Sequence, residues 1–302
     1  MPAEGIHITA FREASTASGL SPEVRRAVMR HEDAGRLGAV LMDMPYFDHY
    51  AEEVVRYAAR LKPRASPWGA VVHEEAAVPI VFALARAAHR ARSSELAVLA
   101  LGAASHATID RAMHPLVNAL ARRHHGGRDH DGAHREVEKF QSICFHEEYF
   151  GQDRMGTDGI VRLVRVPFGE LFAKQHVRQA VCDAYSPSIP NGPTETDLAR
   201  MGSGYELHAR LIGSPVGRLV ASEKEKSEAR PKFLYGGWGR FEQVLEEAIQ
   251  RSVGVLERTW AVFAAGDGER EARLRELEKV LPRGTIDGRG DDVELDMPFA
   301  AR

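Results

Sequence analysis

The sequence predicts an all-α fold, a compact multi-helix bundle with few or no strands. Helical patterns, with apolar residues at three- and four-residue steps, dominate the chain, and strand signals are few. At 302 residues with 44% hydrophobic content, the chain can bury a sizeable core as one large domain or two smaller ones.

The elements follow in order. Ser21-Pro22-Glu23 supplies an N-cap, a proline at the first helical position and an acidic first turn, opening a helix over Val24 to His31. Further helices are expected at 48–61, 76–91, 94–114, 133–149, 169–183, 195–211, 238–265 and 268–280. The best strand signal is 159–166, where β-branched residues precede Pro167. Turn formers crowd Ser186 to Pro193, and the Gly- and Asp-rich stretch after Pro282 is expected to be a mobile tail. Val244, Leu245, Ile249, Val253, Leu256, Trp260 and Phe263 form one stripe of the late helix, suited to core packing or equally to a dimer surface.

A net charge of −3 argues against a nucleic-acid surface of the usual basic kind. No apolar run is long enough to span a bilayer, and the start lacks a signal-peptide pattern, so a cytoplasmic location is expected. Cys144 and Cys182 are too few for a disulfide framework and are expected as thiols. Fourteen histidines are the compositional oddity. His124, His125 and His130 fall in a polar, glycine-rich loop and are expected to face solvent.

The chemistry concentrates between Ala97 and Arg122, where His106, Asp110 and His114 recur at i, i+4 and i+8 in an apolar helical stretch. Four residues turn about 400°, so all three share one helix face. The first and third are about 12 Å apart along the axis, too far to share an ion bound at roughly 2.0 to 2.2 Å. The spacing therefore favours more than one metal, with the two oxygens of Asp110 placed to bridge. Pro115 lacks an amide donor and predicts a kink at His114. His134 and Glu138 repeat the i, i+4 chelating spacing, although a solvated charged face has the same pattern. His7, Asp43 and His73 each sit in or after a short apolar run, and a buried carboxylate there needs a partner or a metal.

Taken in order, His7, Leu37-Gly-Ala-Val-Leu-x-Asp43, His73, Gly102-x3-His106-x3-Asp110-x3-His114-Pro115 and His134-x3-Glu138 resemble the zinc-dependent phospholipase C family over residues 1 to about 150. The resemblance implies the mostly helical fold shared with S1/P1-type nucleases, and a centre of roughly two to three zinc ions. It places Asp43, His73, His106 and Asp110 around one ion, with Asp110 bridging to a second that His7 also binds, and His114, His134 and Glu138 around a third. Asp48 is the alternative to Asp43. Secreted members use the amino group of an N-terminal Trp as a ligand, whereas this chain starts Met1-Pro2, and Met42 stands where many relatives carry Pro.

The organisation expected is a metal-binding helical region over 1–150, a helical extension on the same core over 151–282, and the tail over 283–302. The function expected is zinc-dependent hydrolysis of a lipid or small-molecule phosphodiester, with Asp43, or alternatively Asp110, orienting or deprotonating the attacking water. A nuclease or nucleotidase on the same scaffold is the alternative, with Trp68, Tyr46 and Phe47 as candidate base-stacking residues. A noncatalytic helical metal-binding scaffold is the other alternative.

Overall fold

In the computed structural model, residues 4–288 are described except 63, 65, 67, 126–129, 235–237 and 267. Every regular element among the described residues is helical, so the all-α expectation holds. In order the helices are α1 (Glu4–Thr16), α2 (Pro22–Arg30), α3 (Glu32–Val40), α4 (Tyr50–Ala58), α5 (Gly69–Val71), α6 (Ala77–Ala91), α7 (Ser94–His125) and α8 (His130–Phe150). They continue with α9 (Asp158–Val164), α10 (Phe168–Ala173), α11 (Gln175–Tyr185), α12 (Glu195–Gly213), α13 (Glu223–Phe233), α14 (Trp238–Ala264) and α15 (Arg270–Val280). No helix among the described residues is long and apolar enough to cross a membrane.

The central element is α7, which packs against α3, α6, α8 and α14. Its closest partner is α3, because Gly38 and Gly102 meet where the two backbones cross. A Cβ on Gly102 would lie 2.0 Å from the Gly35 carbonyl oxygen, and one on Gly38 would lie 2.1 Å from that of Leu99. The main core runs from Ile8 and Phe11 of α1 through these helices to Leu256 and Trp260 of α14 and on to Ile286.

Three local expectations are corrected. The expected strand at 159–166 is α9, with Thr157 Oγ1 accepting from the Gly159 amide at 3.1 Å. Ile160, Leu163 and Val164 are the buried positions, a helical i, i+3, i+4 set that outweighs the β-branched composition. Arg36 then closes this helix from outside, donating to the carbonyls of Arg162, Leu163 and Arg165 at 2.9, 2.6 and 2.7 Å. The helix expected to end at 114 instead runs through Pro115 to His125. The helix expected over 169–183 is two, α10 and α11, parted at Lys174, whose extended backbone (φ −78°, ψ 107°) breaks the ladder.

Residues 286–288, expected in the mobile tail, are packed into the molecule, with Ile286 fully buried; 289–302 lie outside the described residues. Helix α1 had no clear signal, since Gly5, Ile6, Ile8 and Thr9 are poor helix formers, and its helicity comes from tertiary burial. The chain from Val72 to Ala76 forms a π-helical turn that carries His73.

Burial also keeps some histidines neutral. His146 on α8 is 1% exposed, neither ring nitrogen has a hydrogen-bond partner, and burial, with the Arg154 charge nearby, pushes it down to about 3. The unfolded state therefore takes up a proton between pH 6.5 and 3 that the folded state refuses, so stability falls as pH drops through that window. We expect His146→Leu to lose about 2 kcal/mol less stability than wild type between pH 6.5 and 5.0, measured by urea unfolding. Parallel pH profiles for the two proteins would contradict it.

Candidate metal centre

The eight residues singled out in the sequence come together. His7 is on α1, Asp43 follows α3, His73 is on the π-helical turn, His106, Asp110 and His114 lie along α7, and His134 and Glu138 are on α8. Asp110 is the hub. Its Oδ2 lies 3.0 Å from His106 Nε2 and 3.5 Å from His73 Nε2, while its Oδ1 lies 3.1 Å from His7 Nε2 and 3.7 Å from His114 Nε2. Asp43 lies 3.3 Å from His73 Nε2 and 4.0 Å from His7 Nε2. Glu138 lies 3.2 Å from His134 Nε2 and 3.4 Å from His114 Nε2.

Ligand atoms within 4.8 Å of one another form three groups: His7, His106 and Asp110; Asp43, His73 and His106; and His114, His134 and Glu138. Helix pitch explains why His106 and His114 belong to different groups. The two faces of one carboxylate serve neighbouring groups, as a bridging ligand must.

The imidazoles are oriented from behind. His73 Nδ1 donates to the Gly69 carbonyl at 2.9 Å, His106 Nδ1 to that of Ala39 at 2.8 Å and His114 Nδ1 to that of Ile286 at 2.9 Å. His134 Nδ1 donates to the Asn118 side-chain oxygen at 2.8 Å. A proton held on Nδ1 leaves the lone pair on Nε2, and in all four rings Nε2 is the atom turned toward the carboxylates. His7 is the exception, with Nδ1 buried and without a hydrogen-bond partner.

The donor set fits zinc, which takes imidazole nitrogen and carboxylate oxygen. His106 Nε2 and Asp110 Oδ2 face each other at 3.0 Å, yet neither buried atom has a properly formed hydrogen bond. Such orphaned atoms are costly in a dry site, and a cation between them would satisfy both.

Electrostatics agree with that chemistry. Burial alone would lower His106 and His114, but the carboxylates outweigh it: Asp110 and Asp43 raise His106 to about 9, and Asp110, Glu138 and Asp287 raise His114 to about 10. Burial would raise the acids, yet the surrounding imidazoles hold Asp110 and Glu138 well below the usual carboxylate range. Protons on these imidazoles occupy the places cations would take, so a metal bound there would displace them.

Other candidates are placed differently. Asp48, the alternative to Asp43, is paired with Arg200. Phe47 is fully buried in the core, and the Trp68 indole donates to the Asn191 carbonyl at 3.0 Å, so of the three aromatics considered for stacking only Tyr46, 37% exposed, has its ring on a metal-centre residue, 5.5 Å from His73. His124 is exposed as expected; the side chains of His125 and His130 lie outside the description.

Sequence reasoning missed Asn118 and Asp287. Asn118 continues the four-residue ladder of α7 from His114, a signal present in the sequence, whereas nothing local ties Asp287 to the centre.

Comparison of the chain with models of known protein families, with curated proteins and with solved structures returns no match. The function is therefore read from geometry.

Proposed function

We propose that the chain is a zinc-dependent hydrolase of phosphoric esters, phospholipase C-like in its metal centre and acting on a phosphodiester. One observation carries this reading: four imidazoles, each with Nδ1–H committed to an oxygen behind it, converge through Nε2 on Asp43, Asp110 and Glu138. A structural zinc site is usually closed by four ligands around one ion, whereas here three groups lie side by side, with Asp110 within 3.7 Å of a histidine of each. A carboxylate set among adjacent groups suits a multinuclear hydrolytic centre.

These residues would hold zinc, which when bound would acidify a water to a pKa of about 7 and offset charge on phosphoryl oxygens. The protein's part is placement. Asp43 is the more accessible of the two carboxylates beside His73, 17% exposed at its side chain against 5% for Asp110. That exposure suits Asp43 to orienting a water and taking its proton, and suits Asp110 to holding ions together. Tyr46, on the rim beside His73, is the residue placed to contact a substrate group.

The test is elemental analysis of protein purified without chelator, followed by assays on bis-p-nitrophenyl phosphate, phosphatidylcholine vesicles and single-stranded DNA. Roughly two to three zinc ions per chain and chelator-sensitive phosphodiester turnover are expected. Well-folded protein that takes up no zinc would overturn the reading; turnover confined to DNA would move it to a nuclease. Stoichiometric zinc without turnover of any substrate would make it a metal-binding scaffold.

A further inference from the structure

Beyond α15 the chain turns back to the metal centre as Gly284-Thr-Ile-Asp-Gly288. The Ile286 amide donates to the His73 carbonyl at 2.9 Å, the Ile286 carbonyl accepts from His114 Nδ1 at 2.9 Å, and the Asp287 carbonyl accepts from Asn118 Nδ2 at 2.7 Å. Arg111 Nη2 lies 3.4 and 3.3 Å from the Gly284 and Thr285 carbonyls. The Ile286 side chain is fully buried in the main core, and Gly288 lies on the Pro115 ring. Five residues thus touch three separate parts of the centre.

We propose that this strap is the positioning segment of the His114–His134–Glu138 group: two consecutive backbone carbonyls set the tautomers of both its histidines. The proposal rests on the metal-centre reading above.

The logic is one of donors and acceptors. A carbonyl can only accept, so the Ile286 oxygen places the His114 proton on Nδ1 and frees Nε2 for an ion. The Asp287 oxygen likewise requires the NH2 of Asn118 to face it, which turns the Asn118 oxygen the other way. That oxygen, again only an acceptor, draws the His134 proton to Nδ1 and leaves Nε2 toward Glu138, 3.2 Å away. Orientation therefore passes from strap backbone through one amide to a ligand on α8. No other described segment supplies these oxygens to His114 and Asn118.

The strap's ends explain two residues that otherwise look misplaced. Gly288 has φ +61°, and a Cβ there would lie 2.8 Å from Pro115 Cδ and 2.9 Å from Pro115 N. Glycine is required on both counts, and a β-branched residue is excluded. Pro115, an oddity inside a helix, presents the flat ring against which the strap ends.

The test uses full-length Asn118→Leu, Asn118→Asp and Gly288→Val beside wild type, each dialysed against buffered free zinc and analysed for metal. In parallel, NMR of the metal-free protein reads the hydrogen-bonded Nδ1–H protons of His114 and His134. Asn118→Leu and Gly288→Val are expected to weaken zinc at this group by about 10- to 100-fold, losing roughly one ion per chain at limiting zinc while the others remain. Asn118→Asp, which keeps an acceptor for His134, is expected to recover part of that loss, an outcome a purely structural role would not give. Wild-type zinc affinity in both Asn118→Leu and Gly288→Val would overturn the strap's role and leave the metal centre standing. If wild type binds no zinc, the metal centre fails instead, and the NMR decides the strap: unchanged hydrogen-bonded Nδ1–H signals at His114 and His134 in both variants overturn it. If Gly288→Val does not fold, as read by circular dichroism, Asn118→Leu carries the comparison.

Discussion

Asp110→Ala is expected to empty the first two metal groups, abolish phosphodiester turnover and destabilise even the metal-free protein by about 3–5 kcal/mol at pH 7. The size follows from what the side chain does. One carboxylate, 3% exposed, faces His7, His73, His106 and His114 within 3.7 Å. Without it, His106 loses the largest charge that favours its protonated form and His73 keeps only Asp43, so the centre must either keep buried cations underpaired or give up their protons. Because burial is outweighed by these imidazoles and Asp110 titrates well below its ordinary range, its stabilisation is present above about pH 4 and fades as acid protonates it.

Asp110→Asn separates the two roles. The amide keeps the volume and some hydrogen bonding, so it should restore part of the stability, but it cannot bridge two cations. Urea unfolding in chelator, with elemental analysis of the same preparations, checks both. Wild-type metal content in Asp110→Ala would rule out the bridging role.

The second large effect lies away from the ligands. Gly102→Val is expected to cost about 3 kcal/mol or more, or to prevent folding. The new side chain would begin 2.0 Å from the Gly35 carbonyl oxygen and 2.8 Å from the Ala39 amide nitrogen. Both are backbone atoms of α3, so no side chain can swing aside, and α3 and α7 must separate. The centre would feel it directly, because the Ala39 carbonyl that holds His106 Nδ1 sits at this crossing. Metal affinity should therefore fall together with stability. Gly169→Ala is the control: nothing lies within 4 Å of a Cβ there, and removing a helical glycine should be neutral or stabilising by up to about 1 kcal/mol. Equal thermal midpoints for Gly102→Val and Gly169→Ala would disprove the account of the crossing.

The fold class and the ligand ladder were legible in the sequence because both are local. Apolar residues at helical spacing announce α6, α7 and α14, and the i, i+4 steps of His106, Asp110 and His114 put three ligands on one face whatever the rest of the chain does. The same arithmetic parts His106 from His114. Where local preference and burial disagreed, burial won: β-branched residues at 159–166 became α9 because Ile160, Leu163 and Val164 face the core and Arg36, from a distant helix, caps its carbonyls.

Other features depend on residues far apart in sequence meeting at angles that no periodicity records. The approach of Gly38 to Gly102, the choice of Asp43 over Asp48 and the pairing of Asn118 with Asp287 are of this kind. Which helix faces carry the ligands follows from residue spacing alone, because neighbours along one helix share a fixed geometry. Which oxygens hold the imidazoles from behind is set by long-range packing, because those hydrogen bonds exist only after separate helices and the strap at 284–288 have packed around one core.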